Sequence, residues 1–174
     1  MIHPTAFIHS KAYAEGVSIG ARSKVWQFAS VIRGAIVGDD CTVGANALID
    51  SANTGNRCLI ESGAKLHAGV QLRNDVFIGP NAVLCNDFWP RTHKNRYDIE
   101  KLLSGEVVCI LVEDGASIGA GACIVPGVRI GVGAMVAANA DVTADVPDGC
   151  LWGRDGEIRT IREEHGVERV RACR

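Results

Sequence analysis

The apolar positions of the chain repeat every six residues, and the repeat is clearest between Val112 and Val146. A branched aliphatic residue opens each repeat, and a small or slim residue follows four positions later. The branched residues of this block are Val112, Ile118, Ile124, Ile130, Val136 and Val142, and the small ones are Ala116, Ala122, Val128, Ala134, Ala140 and Val146. Because six is not a helical period, these two inward positions predict short flat strands joined by tight corners and stacked in coils.

The same repeat accounts for the earlier part of the chain. Branched residues recur at intervals of six from Ile19 to Ile49 and from Ile60 to Leu84. Single-residue deletions near Tyr13 and in the polar segment 50–56 shift the register between blocks. Strands this short must pair their backbone groups with the coils above and below. The sequence therefore predicts an all-β fold, a β-helix of hexapeptide repeats over residues 1–149.

Two segments depart from the repeat. At about 88–111 aromatic and charged residues replace the aliphatic ones, which predicts a loop that protrudes from the coil. A loop of this length in so regular a chain is either functional or disordered, and its aromatic residues and arginines favour function. Residues 150–174 have apolar residues at mixed spacing around Gly166. They are expected to form a C-terminal tail of one or two short helices that cap the open end.

Composition narrows the classes of function. The chain has 174 residues and a formal net charge of -2, which fits one domain and gives no basic field for nucleic acid. Its seven cysteines include no C-x-x-C pair, which argues against a disulfide framework or a zinc knuckle. No signal-peptide pattern and no window of ~18 apolar residues is present, so we expect a cytoplasmic protein without membrane partners.

Three local strings carry a narrower likeness. They are Asp75–Asn81 followed by Asn86–Arg91, Lys24–Phe28, and Leu111–Ala120. With the repeat, they make the chain resemble the left-handed parallel β-helix acyltransferases of the hexapeptide-repeat superfamily over nearly its whole length. More narrowly, it resembles the nucleotide-sugar N-acetyltransferases that act on 3-amino sugars in lipopolysaccharide and O-antigen biosynthesis. The resemblance implies left-handed coils of about eighteen residues, a homotrimer with active sites between subunits, and acetyl-CoA as co-substrate.

The resemblance predicts transfer of an acetyl group from acetyl-CoA to an amino group of a dTDP- or UDP-linked deoxy amino sugar. Gln27 and Ser30 stand where relatives often have histidine. Trp152–Gly156 replaces their Gly-x-Pro-Ala segment, so the adenine end of CoA is expected to bind differently. The alternatives are an O-acetyltransferase on a sugar or small alcohol, a γ-carbonic-anhydrase-like zinc enzyme, and a non-catalytic scaffold. No metal is expected, since that zinc site needs three converging histidines.

Three polar residues are candidates for catalysis. Acyl transfer to an amine needs an uncharged amine near the carbonyl carbon and donors for the oxyanion. Asn86 could orient the amine or donate to the carbonyl, and Asp87 could accept a proton or bind a sugar hydroxyl. An Asn-Asp turn that only starts the loop is the alternative. His67 is a candidate base, although direct attack by the amine, with the CoA sulfur taking the proton, would make a base unnecessary.

The remaining candidates bind substrate or cofactor. Trp89 and Arg91 are expected to contact the base and phosphate of the acceptor, with Trp26 stacking from another coil. Glu61, one hexapeptide before His67, and His93 in the loop are further candidates. CoA is expected where small residues let pantetheine approach the backbone and an arginine meets a phosphate. These residues are Gly119, Ala120, Gly131, Ala137, Ala138 and Arg154. The same small residues could serve only as structural corners.

Overall fold

The chain forms a three-sided parallel β-helix, seen in a computed structural model that describes residues 1–90, 92, 101, 107–164 and 167–172. Its first strands are β1 (Phe7–Ile8), β2 (Tyr13–Ala14), β3 (Ser18–Ile19), β4 (Lys24–Val25), β5 (Ser30–Ile32), β6 (Ile36–Val37), β7 (Thr42–Val43), β8 (Leu48–Asp50), β9 (Asn53–Thr54), β10 (Leu59–Ile60), β11 (Lys65–Leu66) and β12 (Val70–Leu72). They are followed by β13 (Phe77–Ile78), β14 (Val83–Leu84), β15 (Ile110–Val112), β16 (Ser117–Ile118), β17 (Cys123–Ile124), β18 (Arg129–Ile130), β19 (Met135–Val136), β20 (Asp141–Val142), β21 (Cys150–Trp152), β22 (Ile158–Glu164) and β23 (Val167–Ala172).

From β1 to β20, every third strand falls in the same sheet. Sheet 1 has the order β1-β4-β7-β10-β13-β16-β19-β21-β22-β23, sheet 2 the order β2-β5-β8-β11-β14-β17-β20, and sheet 3 the order β3-β6-β9-β12-β15-β18. We call the turns from sheet 1 to sheet 2 the first corner, those from sheet 2 to sheet 3 the second corner, and those from sheet 3 to sheet 1 the third corner. This architecture confirms the predicted β-helix and is consistent with its left-handed form.

The strands pair in register from coil to coil. Val43 pairs with Val25 below it and with Ile60 above it, at offsets of 18 and 17 residues. The shorter offset confirms the deletion predicted in segment 50–56. The branched and small residues of the block 112–146 are at most 4% exposed, so the repeat forms the core. Parallel pairing of these two- and three-residue strands satisfies backbone groups that no single coil could satisfy.

A column of side chains at the third corner supports the stack. The side-chain oxygen of Asp39 accepts a hydrogen bond from the backbone N–H of Ala21 in the coil below, at 2.7 Å. Asn56 repeats this contact with Asp39, and Asn74 repeats it with Asn56, at 2.8 and 3.0 Å. Asp114 accepts from Asn74 at 2.7 Å across the loop insertion. These bonds satisfy corner N–H groups that the strand ladders leave unpaired.

Ion pairs between coils differ in burial. Asp50 lies at the second corner with its side chain only 9% exposed, and Arg33 in the coil below binds it through two guanidinium nitrogens. The Asp40 carboxylate is 41% exposed and binds Arg22 at 2.6 Å. These hydrogen bonds raise the pKa of each arginine and lower the pKa of Asp40. The two pairs have similar geometry and different access to water.

Arg33→Gln is expected to lower the midpoint of thermal unfolding by about 4 °C, because it leaves the Asp50 carboxylate buried without its counter-charge. Arg22→Gln is the matched control and should shift the midpoint by less than about 1 °C, since water can replace the lost partner. Differential scanning calorimetry measures both values. Equal shifts would mean that the burial of Asp50 adds nothing to the pair.

The prediction of a helical tail was wrong. β22 and β23 form an antiparallel hairpin that extends sheet 1, and β22 pairs with β21. The chain reverses at Gly153–Gly156, where the N–H of Gly153 donates to the carbonyl of Glu157 at 2.9 Å. The last parallel strand of sheet 1 presents unpaired backbone groups, and a returning strand satisfies them where a helix could not. Among the described residues, no helix is long and apolar enough to cross a membrane.

Candidate functional site

The loop leaves the β-helix at the second corner, between the end of β14 and the start of β15. His67 occupies the same corner one coil below, and its N–H donates to the carbonyl of Leu84 at 3.4 Å. Cys85 lies above His67, and its N–H donates to the carbonyl of Ile124 at 2.9 Å. The structure therefore places His67 directly below the point where the loop begins.

His67 follows the buried Leu66 and is half-buried. Because alternate residues of a strand face opposite sides, its side chain is on the outer side of sheet 2. The register of β8 and β11, in which Ile49 pairs with Leu66, puts Asp50 one coil below His67 in the same column. The candidate base thus stands above a carboxylate that is itself held by Arg33.

Asn86 and Asp87 begin the loop, and both are half-buried. An oxygen of Asp87 accepts a hydrogen bond from the N–H of Trp89 at 3.0 Å, which forms an Asx turn. Trp89 and Phe88 are both exposed, and the ring of Phe88 lies over Gly127. A Cβ at Gly127 would be 2.9 Å from that ring, so the glycine permits the loop root to pack on the coil above. The Asn-Asp segment therefore does form a turn at the start of the loop.

Three thiols, those of Cys85, Cys109 and Cys123, surround the residues where the loop begins and ends. Their spacing in the sequence does not predict this. The sulfurs of Cys85 and Cys123 are 3.8 Å apart on the outer side of sheet 2, and Cys109 donates its N–H to Gly69 at the return of the loop. Burial and the neighbouring thiol raise the pKa of Cys85 to about 11, and burial raises the pKa of Cys109. Both thiols are therefore protonated at neutral pH and are poor nucleophiles.

The first corner carries two stacked columns of residues. The inner column contains Trp26, Gly44, Glu61, Gly79, Gly119 and Ala137, and the outer one contains Gln27, Ala45, Ser62, Pro80, Ala120, Ala138 and Arg154. Between Trp26 and Glu61 lies an open pocket of about 330 Å³. Trp26 is 40% exposed, and its ring centroid is 5.5 Å from that of Phe7.

The upper part of the first corner holds most of the predicted cofactor residues. Ala120, Ala138 and Arg154 are exposed one above another. Gly119 has a structural reason to be glycine, since a Cβ there would be 2.4 Å from the backbone nitrogen of Ala138. Gly131 is buried at the third corner, where a Cβ would be 2.5 Å from the backbone nitrogen of Asp148. The structure thus does not bring Gly131 together with the other five residues.

Sheet 2 joins the two corners. One edge carries Trp26, Glu61, Gly119, Ala120, Ala137, Ala138 and Arg154, and the other carries His67, Asn86, Asp87 and Trp89. Arg91 and His93 lie outside the described residues. Within the described part of the chain, no three His, Cys, Asp or Glu side chains are placed to hold a metal ion. Sheet 2 and its flanking corners are the candidate active site.

Two family models match separate blocks of the repeat. The family described as bacterial transferase hexapeptide (six repeats) matches residues 16–51, and the hexapeptide repeat of succinyl-transferase matches residues 110–144. In these two blocks the chain is similar to hexapeptide-repeat acyltransferases. The first block contains Trp26 and Gly44 of the pocket, and the second contains Gly119 and Ala120 of the predicted cofactor surface. Glu61, His67 and the loop lie between the two blocks.

The relatives of known class are distant in sequence. The UDP-3-O-acylglucosamine N-acyltransferase of Methylorubrum populi is 29% identical over 88% of this chain and 38% of its own length. The bifunctional protein GlmU of Alkalilimnicola ehrlichii is 28% identical over 97% of this chain and 35% of its own. The chain thus spans less than two fifths of these proteins. A mutant of AntD, an N-acyltransferase from Bacillus cereus, shares the fold with a TM-score of 0.50 and 14% identity, over 99% of this chain and 83% of that one.

Proposed function

We propose that the protein is an acetyl-CoA-dependent N-acetyltransferase acting on an amino group of a nucleotide-linked deoxy amino sugar that carries dTDP or UDP. The observation that carries this proposal is the arrangement on sheet 2. One corner presents an imidazole, an amide and a carboxylate, and the other presents a polar aromatic pocket and an exposed column of small residues. The name of the Methylorubrum relative, an N-acyltransferase of a UDP-linked sugar, supports the class of acceptor.

The second corner performs the chemistry in this proposal. Asn86 donates its amide N–H to the carbonyl oxygen as the amine attacks the thioester carbon, which stabilises the oxyanion. His67 accepts the proton that the amine loses. The C–S bond then breaks, and the departing CoA sulfur receives that proton. Asp87, which begins the loop beside Asn86, binds a hydroxyl of the sugar.

The upper first corner fits CoA. The short side chains of Ala120 and Ala138 let pantetheine approach the backbone, and the exposed guanidinium of Arg154 stands in the same column for a phosphate. Acetyl-CoA supplies the activated thioester when it is bound there. Gly119 supports this surface by allowing close stacking of the coils. Ala137 lies in the inner column of the same corner, and Gly131 lies apart at the third corner.

The remaining parts of the proposal concern the biological setting. A homotrimer would place sheet 2 of one subunit against its neighbour, which would complete a site that stands open on a single chain. Transfer to nucleotide-linked amino sugars fits a cytoplasmic step of lipopolysaccharide biosynthesis. The trimer, the compartment and the pathway follow from the resemblance and not from a contact in this structure.

The proposal is tested by supplying acetyl-CoA with dTDP- and UDP-linked sugars that carry a 3-amino or 4-amino group. We expect free CoA thiol to be released only with an amino sugar, and mass spectrometry to find the acetyl group on nitrogen. Matched sugars with a hydroxyl in place of the amine are the control. Thiol release with the hydroxyl sugars alone would identify an O-acetyltransferase, and no release with any of them would end the proposal.

A further inference from the structure

The pocket at the first corner is a notch with a floor of small residues. Trp26 and Gln27 form its lower side, Glu61 and Ser62 form its upper side, and Gly44 and Ala45 lie between them. The two sides belong to coils separated by two rungs of the ladder, roughly 10 Å. Large side chains at positions 44 and 45 would fill this space. The notch therefore exists because both columns have a small residue in the same coil.

Gly44 and Ala45 are small for different reasons. A Cβ at Gly44 would be 2.5 Å from the backbone nitrogen of Ser62, so coil stacking requires the glycine. Ala45 is half-exposed, with its carbonyl accepting from Gly63 at 2.9 Å, and its side chain is on the outer column. A larger side chain at position 45 would extend into the notch without entering the core.

The groups around the notch suit a planar ring with polar edges. The exposed indole of Trp26 offers a face for stacking, and the Glu61 carboxylate can only accept hydrogen bonds. No hydrogen bond or ion pair engages that carboxylate within the described residues. A pocket of about 330 Å³ with an aromatic wall and a few convergent polar groups is typical of small-molecule sites.

We infer that this notch binds the nucleobase of the acceptor, and that the base is an imide-type pyrimidine such as uracil or thymine. This inference rests on the proposed function and assigns a subsite within it. The ring N–H between two carbonyl groups donates to the Glu61 carboxylate. Cytosine presents a lone pair at the same ring nitrogen, which the carboxylate repels. The ring stacks on Trp26. Because any base can stack in this way, the contact contributes affinity and not specificity.

The rest of the coil formed by β10, β11 and β12 fits the same substrate. β11 runs from the notch toward His67 and carries Lys65 on its outer side, beside Leu66 in the core. Lys65 is exposed, and its Nζ is 3.4 Å from the carbonyl of Gly63. His67 is six positions after Glu61, at most about 22 Å of extended chain. Along this line a carboxylate, a cation and an imidazole follow in the order of the base, diphosphate and amino sugar of a nucleotide sugar.

The experiment compares UDP, dTDP and CDP by isothermal titration calorimetry with the full chain. UDP and dTDP are expected to bind at least about ten-fold more tightly than CDP, since a hydrogen bond to a charged acceptor is gained by one and lost by the other. Glu61→Gln should abolish this preference, because an amide can donate to the cytosine nitrogen. Trp26→Ala should weaken all three by about 5- to 150-fold.

Ala45→Leu should abolish nucleotide binding by filling the notch. Ala21→Leu is the matched control, because Ala21 also follows a corner glycine but lies at the third corner. Equal binding of UDP and CDP, or normal binding by Ala45→Leu, would overturn the inference. So would a changed oligomeric state of Ala45→Leu in light scattering, which would identify the notch as a subunit contact.

Failure of the inference is distinguishable from failure of the proposed function. If nucleotide amino sugars are acetylated and Ala45→Leu leaves their KM unchanged, the function stands and the subsite is wrong. If UDP binding follows the expected pattern and no amino sugar is acetylated, the subsite stands and the proposed reaction is wrong.

Discussion

Gly119→Ala is expected to destabilise the β-helix by about 3 kcal/mol, because the added Cβ meets backbone that cannot move aside. The nearest atoms are the nitrogen of Ala138 at 2.4 Å and the carbonyl carbon of Ala137 at 2.7 Å. The two coils must separate locally, and the ladder between β16 and β19 loses its geometry. The shift of the urea unfolding midpoint measures the effect.

Gly133→Ala provides the control for this prediction. Gly133 has a φ of +61°, and no atom lies within 4 Å of a Cβ built there, so only backbone strain opposes the alanine. Its cost should be about 1 kcal/mol. If Gly119→Ala left stability unchanged and lowered only the affinity for CoA, the glycine would serve cofactor binding and not the stacking of coils. Cofactor binding is the role that the sequence predicts for it.

His67→Ala is expected to lower kcat by about 10²- to 10⁴-fold, the range for loss of a positioned general base. KM for the nucleotide sugar should change little, because the notch lies at the other corner. His9→Ala is the matched control. His9 is also a half-exposed corner histidine, and its Nδ1 accepts from the N–H of Lys11 at 3.1 Å, but it lies in the first coil.

Steady-state kinetics with a nucleotide amino sugar decide between two mechanisms. A large fall in kcat for His67→Ala alone supports proton transfer to the imidazole. If kcat falls by less than about three-fold, the amine attacks without a base and the CoA sulfur takes the proton directly. A similar loss in both variants would indicate damage to the fold rather than to the site.

The fold could be predicted because every coil repeats the same pattern of branched and small inward residues. Val112 and Ala116 specify one side of a coil, and the same pair of positions recurs until the core is complete. The C-terminal tail has no such repeating pattern of apolar residues. Ile158 and Val167 belong to a hairpin whose pairing depends on β21, an edge strand created only when the coil stack ends. Local spacing cannot show that edge.

The sequence identifies candidate site residues one by one, but it does not show their arrangement. Trp26 and Glu61 were proposed separately, and the notch between them depends on Gly44 and Ala45, which meet them only when residues 17 or 18 apart are aligned. Counting hexapeptides in threes would have assigned Gly131 to another corner. It would not have paired Cys85 with Cys123, because the length of the loop interrupts the count.

The register of the ladder also determines how such a chain can change length. Removing one residue from a corner shortens only the offset of the pairings that span it, as the offset of 17 between Val43 and Ile60 and the return to 18 between Ile60 and Ile78 record. Duplication of a whole coil, in contrast, reproduces the same neighbours on each side. A duplicated coil placed between Glu61 and Gly119 would raise the CoA surface by one rung, about 4.8 Å, relative to the nucleotide pocket. The number of coils between the two sites thus determines the distance between acyl donor and acceptor, in steps of one coil.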